Sequence, residues 1–291
     1  MSCNLYTNYF GKMSCLFRTP CPELRPYVNL LAIFSTSIEN FSGNFIKPFA
    51  NGSVELFIHT NGSRFQIKTN NSTHTFQHYI SGINVSNSQI LFAPISSAST
   101  YEGYMVSLTY AGVCALLKCK PCELAYSNVS LEHICKHGLN AFISKSNTLN
   151  YSHDKLALLE QTLVLQLKSK QLALNTWLLC ALNHIKSRNG IIPVENIASV
   201  TNTSYRKIHR LFQSELGICP KEYLKILRFN NACRMLSQLP NARWSDIILS
   251  CGYYDQAHFI KEFHNQMGQS PQHFLKTTQG FFYLNRPYLI V

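Results

Sequence analysis

The sequence predicts an α+β chain, with a β-rich N-terminal portion followed by an all-α portion in which a long helix joins two helix-turn-helix units. Three observations predict it. Short alternating stretches separated by Asn-Gly and Ser-rich turns fill the first third, a motif near the C-terminus recurs at a fixed offset, and the stretch between its two copies has no internal Gly or Pro. With 291 residues, 46% of them apolar and 12% aromatic, the chain can bury a sizeable core, which excludes a disordered chain, a collagen-like repeat and a coiled-coil rod.

The β-rich portion rests on Val54 to His59, Arg64 to Lys68 and Tyr104 to Leu108, with turns at Asn51-Gly52 and Asn61-Gly62. These predict an antiparallel sheet. A helix is expected from Asp154 to Leu167, where Leu156, Leu159, Leu163 and Leu167 share one side. That stripe either packs on the β domain or pairs two subunits.

In the C-terminal portion, Gly217-Ile218-Cys219-Pro220-Lys221-Glu222-Tyr223-Leu224-Lys225 recurs as Gly268-Gln269-Ser270-Pro271-Gln272-His273-Phe274-Leu275-Lys276, an offset of 51. Upstream, Ile208 and Phe212 align with Phe259 and Phe263, and Ile197 aligns with Ile247 once the second turn is allowed one more residue. The unit is duplicated. In each copy a short helix, Val194 to Val200 or Trp244 to Cys251, leads through a turn to a second helix, Tyr205 to about Leu216 or Asp255 to about Met267. Ser204 and Asp255 are the expected caps of these second helices. Ile208, Leu211 and Phe212 form the inward face of the first, with Tyr205, Arg206, His209, Arg210 and Gln213 opposite; Phe259 and Phe263 turn inward in the second, leaving Gln256, Ala257, Ile260 and Lys261 outside. Pro220 to Gln238 reads as one helix of 19 residues, roughly 28 Å long, which could hold two recognition helices on one face of a duplex about 34 Å per turn.

Charge points the same way. Lys and Arg outnumber Asp and Glu 26 to 14, for a net +12, and residues 171–291 are net +7 against +5 for the longer stretch 1–170. A polyanion is the favoured partner. Amide and guanidinium side chains on the exposed face of a second helix are what base edges in a major groove require; the alternative is a helical bundle with a polar face.

Ile197-Ala198, Ser204, Ile208, Arg210-Leu211-Phe212, Gly217, Pro220, Tyr223, Arg228, Ala232, Leu236, Gly252-Tyr253, Asp255 to Phe259, Phe263, Gly268 and Ser270-Pro271 resemble the AraC/XylS family of transcription regulators. The resemblance covers about residues 172–277. It implies two recognition helices in successive major grooves, with Arg206, His209 and Arg210, then Gln256, Ala257 and Lys261, at base-reading places. Tyr205, Lys207, Gln213 and His264 fall at phosphate or flanking places. It also implies an ion pair for Arg228 within the linker packing. The chain departs from the pattern at Ile248 for Ala, Tyr253 for Phe, Ala257 for Ser and Lys261 for Arg, which weakens readout by the second unit more than the first. Pro22 to Val28, Asn51-Gly52 before Glu55-Leu56, and Ala111-Gly112 leading to Leu116-Leu117 and Glu123-Leu124 resemble the cupin-like sensing domain of some such regulators. The implied organisation is a cupin-like effector-sensing domain at 1–168, an AraC-type DNA-binding domain at 172–279 and an apolar tail at 280–291 of no assigned role. Double-stranded DNA and a small-molecule or protein effector are the expected partners, with RNA polymerase and a second copy of the chain as further candidates.

Eleven cysteines, odd in number and irregular in spacing, with no signal-peptide pattern at Met1 to Met13, predict free thiols in a reducing cytoplasm. No apolar run is long enough to cross a bilayer. Cys119-Lys120-Pro121-Cys122, with Cys114, His133, Cys135 and His137 nearby, has metal or redox spacing but no second pair, so idle thiols are the simpler reading. His59, His74 and His78 lack the cupin metal pattern and read as neutral, satisfied histidines. No metal or cofactor is expected. G-x-x-x-x-G-K-[S/T], G-x-S-x-G and H-E-x-x-H are all absent, and nothing argues for catalysis. Two alternatives use the same DNA-binding module: a thiol-dependent DNA alkyl-transfer repair protein, against which Cys3, Cys15 and Cys21 lack metal-ligand spacing, and a metal- or redox-responsive switch.

Overall fold

Strands form in the N-terminal half where β-branched and aromatic residues run between turn residues. The computed structural model describes residues 5–10, 13–37, 45–46, 52–60, 64–68, 73–83, 89–93, 100–131, 139–167, 173–238, 243–268 and 270–276. The chain divides into two compact units, one made of 1–48, 53–82 and 87–173, the other of 174–291 with the short segments 49–52 and 83–86.

The first unit holds two antiparallel sheets. The strands are β1 (Leu5–Phe10), β2 (Met13–Arg18), β3 (Val28–Ser37), β4 (Phe45–Ile46), β5 (Val54–His59), β6 (Arg64–Lys68), β7 (Thr73–Phe76), β8 (Tyr79–Ser81), β9 (Gln89–Ala93), β10 (Thr100–Leu108) and β11 (Asn128–Ser130). One sheet has the order β1-β2-β3-β10-β5-β8-β11 and the other β4-β9-β6-β7. The expected strands at 54–59 and 64–68 appear with those bounds, and the one expected from Tyr104 starts four residues earlier. The Asn61-Gly62 turn lies outside the described residues. Alternation in β5 does not mark a wet face, because this strand lies between β10 and β8 and both its faces are covered: Glu55 and His59 are buried along with Val54, Leu56 and Ile58.

The helix expected from Asp154 is α3 (Ser152–Leu167), which follows α1 (Tyr110–Gly112) and α2 (Leu139–Ser146). Leu156, Leu159 and Leu163 are buried in packing on β2 and β3, so the stripe serves this unit's own core rather than an open seam. Two charged contacts fix the helix. Lys155 Nζ lies 2.8 Å from Glu102 of β10, and Glu160 takes Arg18 of β2 at 2.7 Å while accepting the Cys21 N–H at 2.6 Å. Burying Glu160 is tolerable because both its oxygens are engaged.

Inside this unit Phe57, His59, Tyr79 and Tyr101 form a stacked group, with Phe57 and Tyr79 ring centroids 4.7 Å apart. The backbone N–H of His59 donates to His78 Nδ1 at 3.1 Å, and the Tyr101 hydroxyl is hydrogen-bonded to His59 Nδ1. His74 stands apart, exposed on β7 beside Phe76.

The second unit is helical. It comprises α4 (Thr176–Ser187), α5 (Val194–Val200), α6 (Tyr205–Leu216), α7 (Pro220–Gln238), α8 (Trp244–Ser250), α9 (Gln256–Met267) and α10 (Pro271–Lys276). Helices α5, α6 and α7 have the bounds their caps and periodicity predict, and α8 stops one residue early because Cys251 is its cap. Ile197, Ile208, Phe212, Leu216 and Tyr223 close the first core; Ile247, Ile248, Phe259, Phe263 and Phe229 close the second. Leu211, expected inward, is only half-buried. Gly217 and Gly268, the repeated glycines, end α6 and α9 with φ of 77° and 73°, the left-handed C-cap that glycine adopts without strain.

Burial holds the His59 imidazole pKa well below its usual value, with His78 adding to the effect. The unfolded chain therefore binds a proton near pH 6.5 that the folded unit refuses, so stability is full above about pH 6.5 and declines below it by about 1.4 kcal/mol per pH unit. Chemical melts of the full chain from about pH 7.5 down to about pH 5 should show this decline, and His59→Gln should flatten it. An equal slope in the variant would assign the decline to other groups.

Candidate nucleic-acid interface

The two recognition helices begin alike. The Ser204 hydroxyl accepts the Lys207 N–H at 3.3 Å, and the Asp255 carboxylate accepts the His258 N–H at 2.7 Å, so both expected caps are in place. Ahead of them the backbone reverses through the left-handed region at Asn202 (φ 48°) and Gly252 (φ 77°). The second turn then carries one extra residue, Tyr254, which is 87% exposed.

Helical periodicity sorts the faces that follow. Arg206, His209, Arg210 and Gln213 are exposed on α6 with Tyr205, whose ring lies 6.4 Å from the His209 imidazole. On α9, Gln256, Ala257, Ile260, Lys261 and His264 are exposed. All six side chains expected to read bases thus stand on two outward faces, each backed by a buried aromatic core.

Lys207 stands on the flank of α6. Its Nζ sits 3.2 Å from the centre of the Trp177 ring on α4, a cation–π contact that holds it beside the outward strip. Nothing in the periodicity of α6 shows this, because Trp177 is 30 residues away in sequence.

The linker helix sets the frame. Tyr223 packs edge-on against Phe212 of α6 at 5.9 Å, and Phe229 packs against Phe259 and Phe263 of α9 at 6.1 and 5.4 Å. Among the described residues Arg228 has no carboxylate partner for the expected ion pair. Its guanidinium lies 4.9 Å over the Tyr253 ring, and the Tyr253 hydroxyl donates to Glu262 Oε1 at 3.0 Å. Lys225 Nζ approaches the other Glu262 oxygen at 3.7 Å. Burial, and then the charge of Glu262, push the Tyr253 phenol pKa far up, so it stays a donor. The Tyr that replaces the family's Phe thus has a partner: Glu262 occupies the position that is Leu211 in the first unit, and a charge at an inward place was the signal available in the sequence.

Among the described residues the thiols form no metal-binding cluster. Cys233 and Cys251 are buried with pKa values raised chiefly by burial, which suppresses the reactive thiolate. Cys119 and Cys122 are half-buried and lie on either side of the start of the short turn Pro121–Glu123, which Lys120 precedes. Among the described residues no three His, Cys, Asp or Glu side chains could hold a metal ion, and no helix is long and apolar enough to cross a membrane. Cys3, His133, Cys135 and His137 lie outside the described residues.

A helix-turn-helix domain family matches residues 197–277. An uncharacterized HTH-type transcriptional regulator of Haemophilus influenzae is 29% identical over 153 residues, 53% of this chain and 44% of that protein. The HTH-type transcriptional activator RhaS of an Enterobacter species is 32% identical over 78 residues, 27% of this chain and 28% of that one. The chain thus spans less than half the length of these curated relatives. A structure of apo ToxT from Vibrio cholerae superposes with a TM-score of 0.51 at 13% identity over 88% of this chain and 98% of the other, a likeness of fold. The duplicated turn, paired caps and shared linker helix of this chain thus lie in the stretch, residues 197–277, that matches the helix-turn-helix domain family.

Proposed function

We propose that the chain is a sequence-specific DNA-binding transcriptional regulator that reads two successive major grooves. The observation that carries this reading is the duplication itself, two capped helices with polar outward faces packed on one continuous helix. Arg206, His209 and Arg210 read bases in the first groove and Gln256, Ala257 and Lys261 in the second. Tyr205, Gln213 and His264 flank them toward sugars and phosphates, and Lys207 joins them when DNA draws it off Trp177. Arg forks on guanine edges supply the discrimination.

Replacing Arg206 or Arg210 by Ala should therefore lower specific affinity by roughly 1 to 3 kcal/mol and leave binding to random DNA much less affected. Titration of cognate and scrambled duplexes measures this. Equal loss on both would remove the base-reading assignment.

Inserting about 5 bp between the two half-elements turns one groove to the far side of the duplex, so binding by both units should be lost. The Tyr223 and Phe229 anchors on α7 leave the joint no compensating freedom. Retained affinity on the lengthened site would mean that one unit suffices.

For residues 1–168 the reading is a cupin-like sensor of a small molecule or partner protein whose occupancy biases access to DNA. A domain of two antiparallel sheets, one carrying the buried His59, Tyr79 and Tyr101 together, supports it. A ligand found by thermal shift on the full chain should change its DNA footprint. If no stabilising ligand or partner alters DNA binding or transcriptional output, the sensing role falls and the DNA-binding role stands.

A further inference from the structure

The offset of 51 places the outward residues of the two recognition helices in register: Tyr205 with Gln256, Arg206 with Ala257, His209 with Ile260, Arg210 with Lys261 and Gln213 with His264. At 100° per residue, Ile260 and Ala257 lie 60° apart near the middle of the α9 face, with Gln256 on one edge, Lys261 on the other, and the exposed His264 between the two in angle but one helical turn beyond Ile260 along the axis. Ile260 is 37% exposed and Ala257 is exposed beside it, so both present alkyl groups outward. At the same two places α6 presents a guanidinium and an imidazole. The two faces differ in chemical kind.

Major-groove chemistry converts this difference into base preference. Thymine methyls are the apolar groups displayed there, the bidentate partner of a Gln amide is adenine N6 and N7, and an Arg fork matches guanine O6 and N7. An alkyl strip set against a guanine leaves O6 and N7 without donors, which costs binding. Lys261 brings a point charge without a fork, at the edge of the strip.

Resting on the two-groove reading, we propose that the target is asymmetric: a guanine-bearing element under α6 and, one helical turn away, an element whose central pairs are A·T under α9. Ala257 and Ile260 cover thymine methyls, and Gln256 takes an adenine. Ile260 is thereby a specificity-determining residue, and the order of the two elements fixes the direction in which the chain lies on DNA.

The test is selection of the full-length protein on a randomised duplex library, followed by binding to the selected site with uracil in place of thymine. The result expected is two elements one turn apart, guanine in one and A·T at the centre of the other. Uracil in the second element should weaken binding about fourfold per methyl lost, the worth of one methyl-sized group removed from water, and have no effect in the first. The double substitution Ala257→Arg with Ile260→His, both at exposed positions, should convert the centre of the second element to guanine and leave the first unchanged. A guanine-rich second element, or indifference to uracil there, overturns the proposal and leaves the two-groove reading standing. Selection of a single element overturns the two-groove reading itself, and selection of no sequence overturns DNA recognition.

Discussion

The geometry of the second unit depends on one continuous helix serving two cores. Tyr223 and Phe229 are six residues apart on α7, about 9 Å along its axis, and each is a wall of a different helix-turn-helix core. Neither recognition helix can tilt without opening a packed aromatic contact, and closely packed interiors resist such displacement. Caps, turn glycines and polar faces decide what each helix presents; α7 decides where each stands.

The second helix-turn-helix is joined to this frame by polar chemistry. Arg228 over Tyr253, the Tyr253 hydroxyl on Glu262, and the exposed Lys225 near the same carboxylate run from α7 to α9. Such a network is stable only when each buried group is satisfied, so substitution at one member is felt by the rest. Glu262 is the sensitive member, because removing the phenol leaves a buried carboxylate with one distant cation.

Much of the α portion was legible because its signals are local. Periodicity, Ser204 and Asp255 as caps, Gly217 and Gly268 as stops, and the repeat together place α5, α6, α7 and α9 to within a residue or two. What escaped involves partners distant in sequence. Lys207 goes to Trp177, Arg228 goes to a ring rather than a carboxylate, and Glu160 turns inward because Arg18 and the Cys21 N–H await it. In the β portion the limit is different. Alternation reports one wet face and one dry one, and it fails for β5, which neighbouring strands and the buried His59 group enclose on both sides. A leucine stripe likewise carries no label for its partner, and α3 spends Leu156, Leu159 and Leu163 on its own sheet.

The contact between Trp177 and Lys207 has an optical consequence. The chain has two tryptophans, and they fall in different halves of the second unit: Trp177 in α4, holding an ammonium against its ring beside α6, and Trp244 as the first residue of α8. An indole's emission depends on the charges next to it, so movement of Lys207 off the ring changes the signal of one half while Trp244 reports on the other. Intrinsic fluorescence of the unlabelled chain, with each tryptophan replaced in turn, therefore distinguishes a change at the first helix-turn-helix from a change at the second.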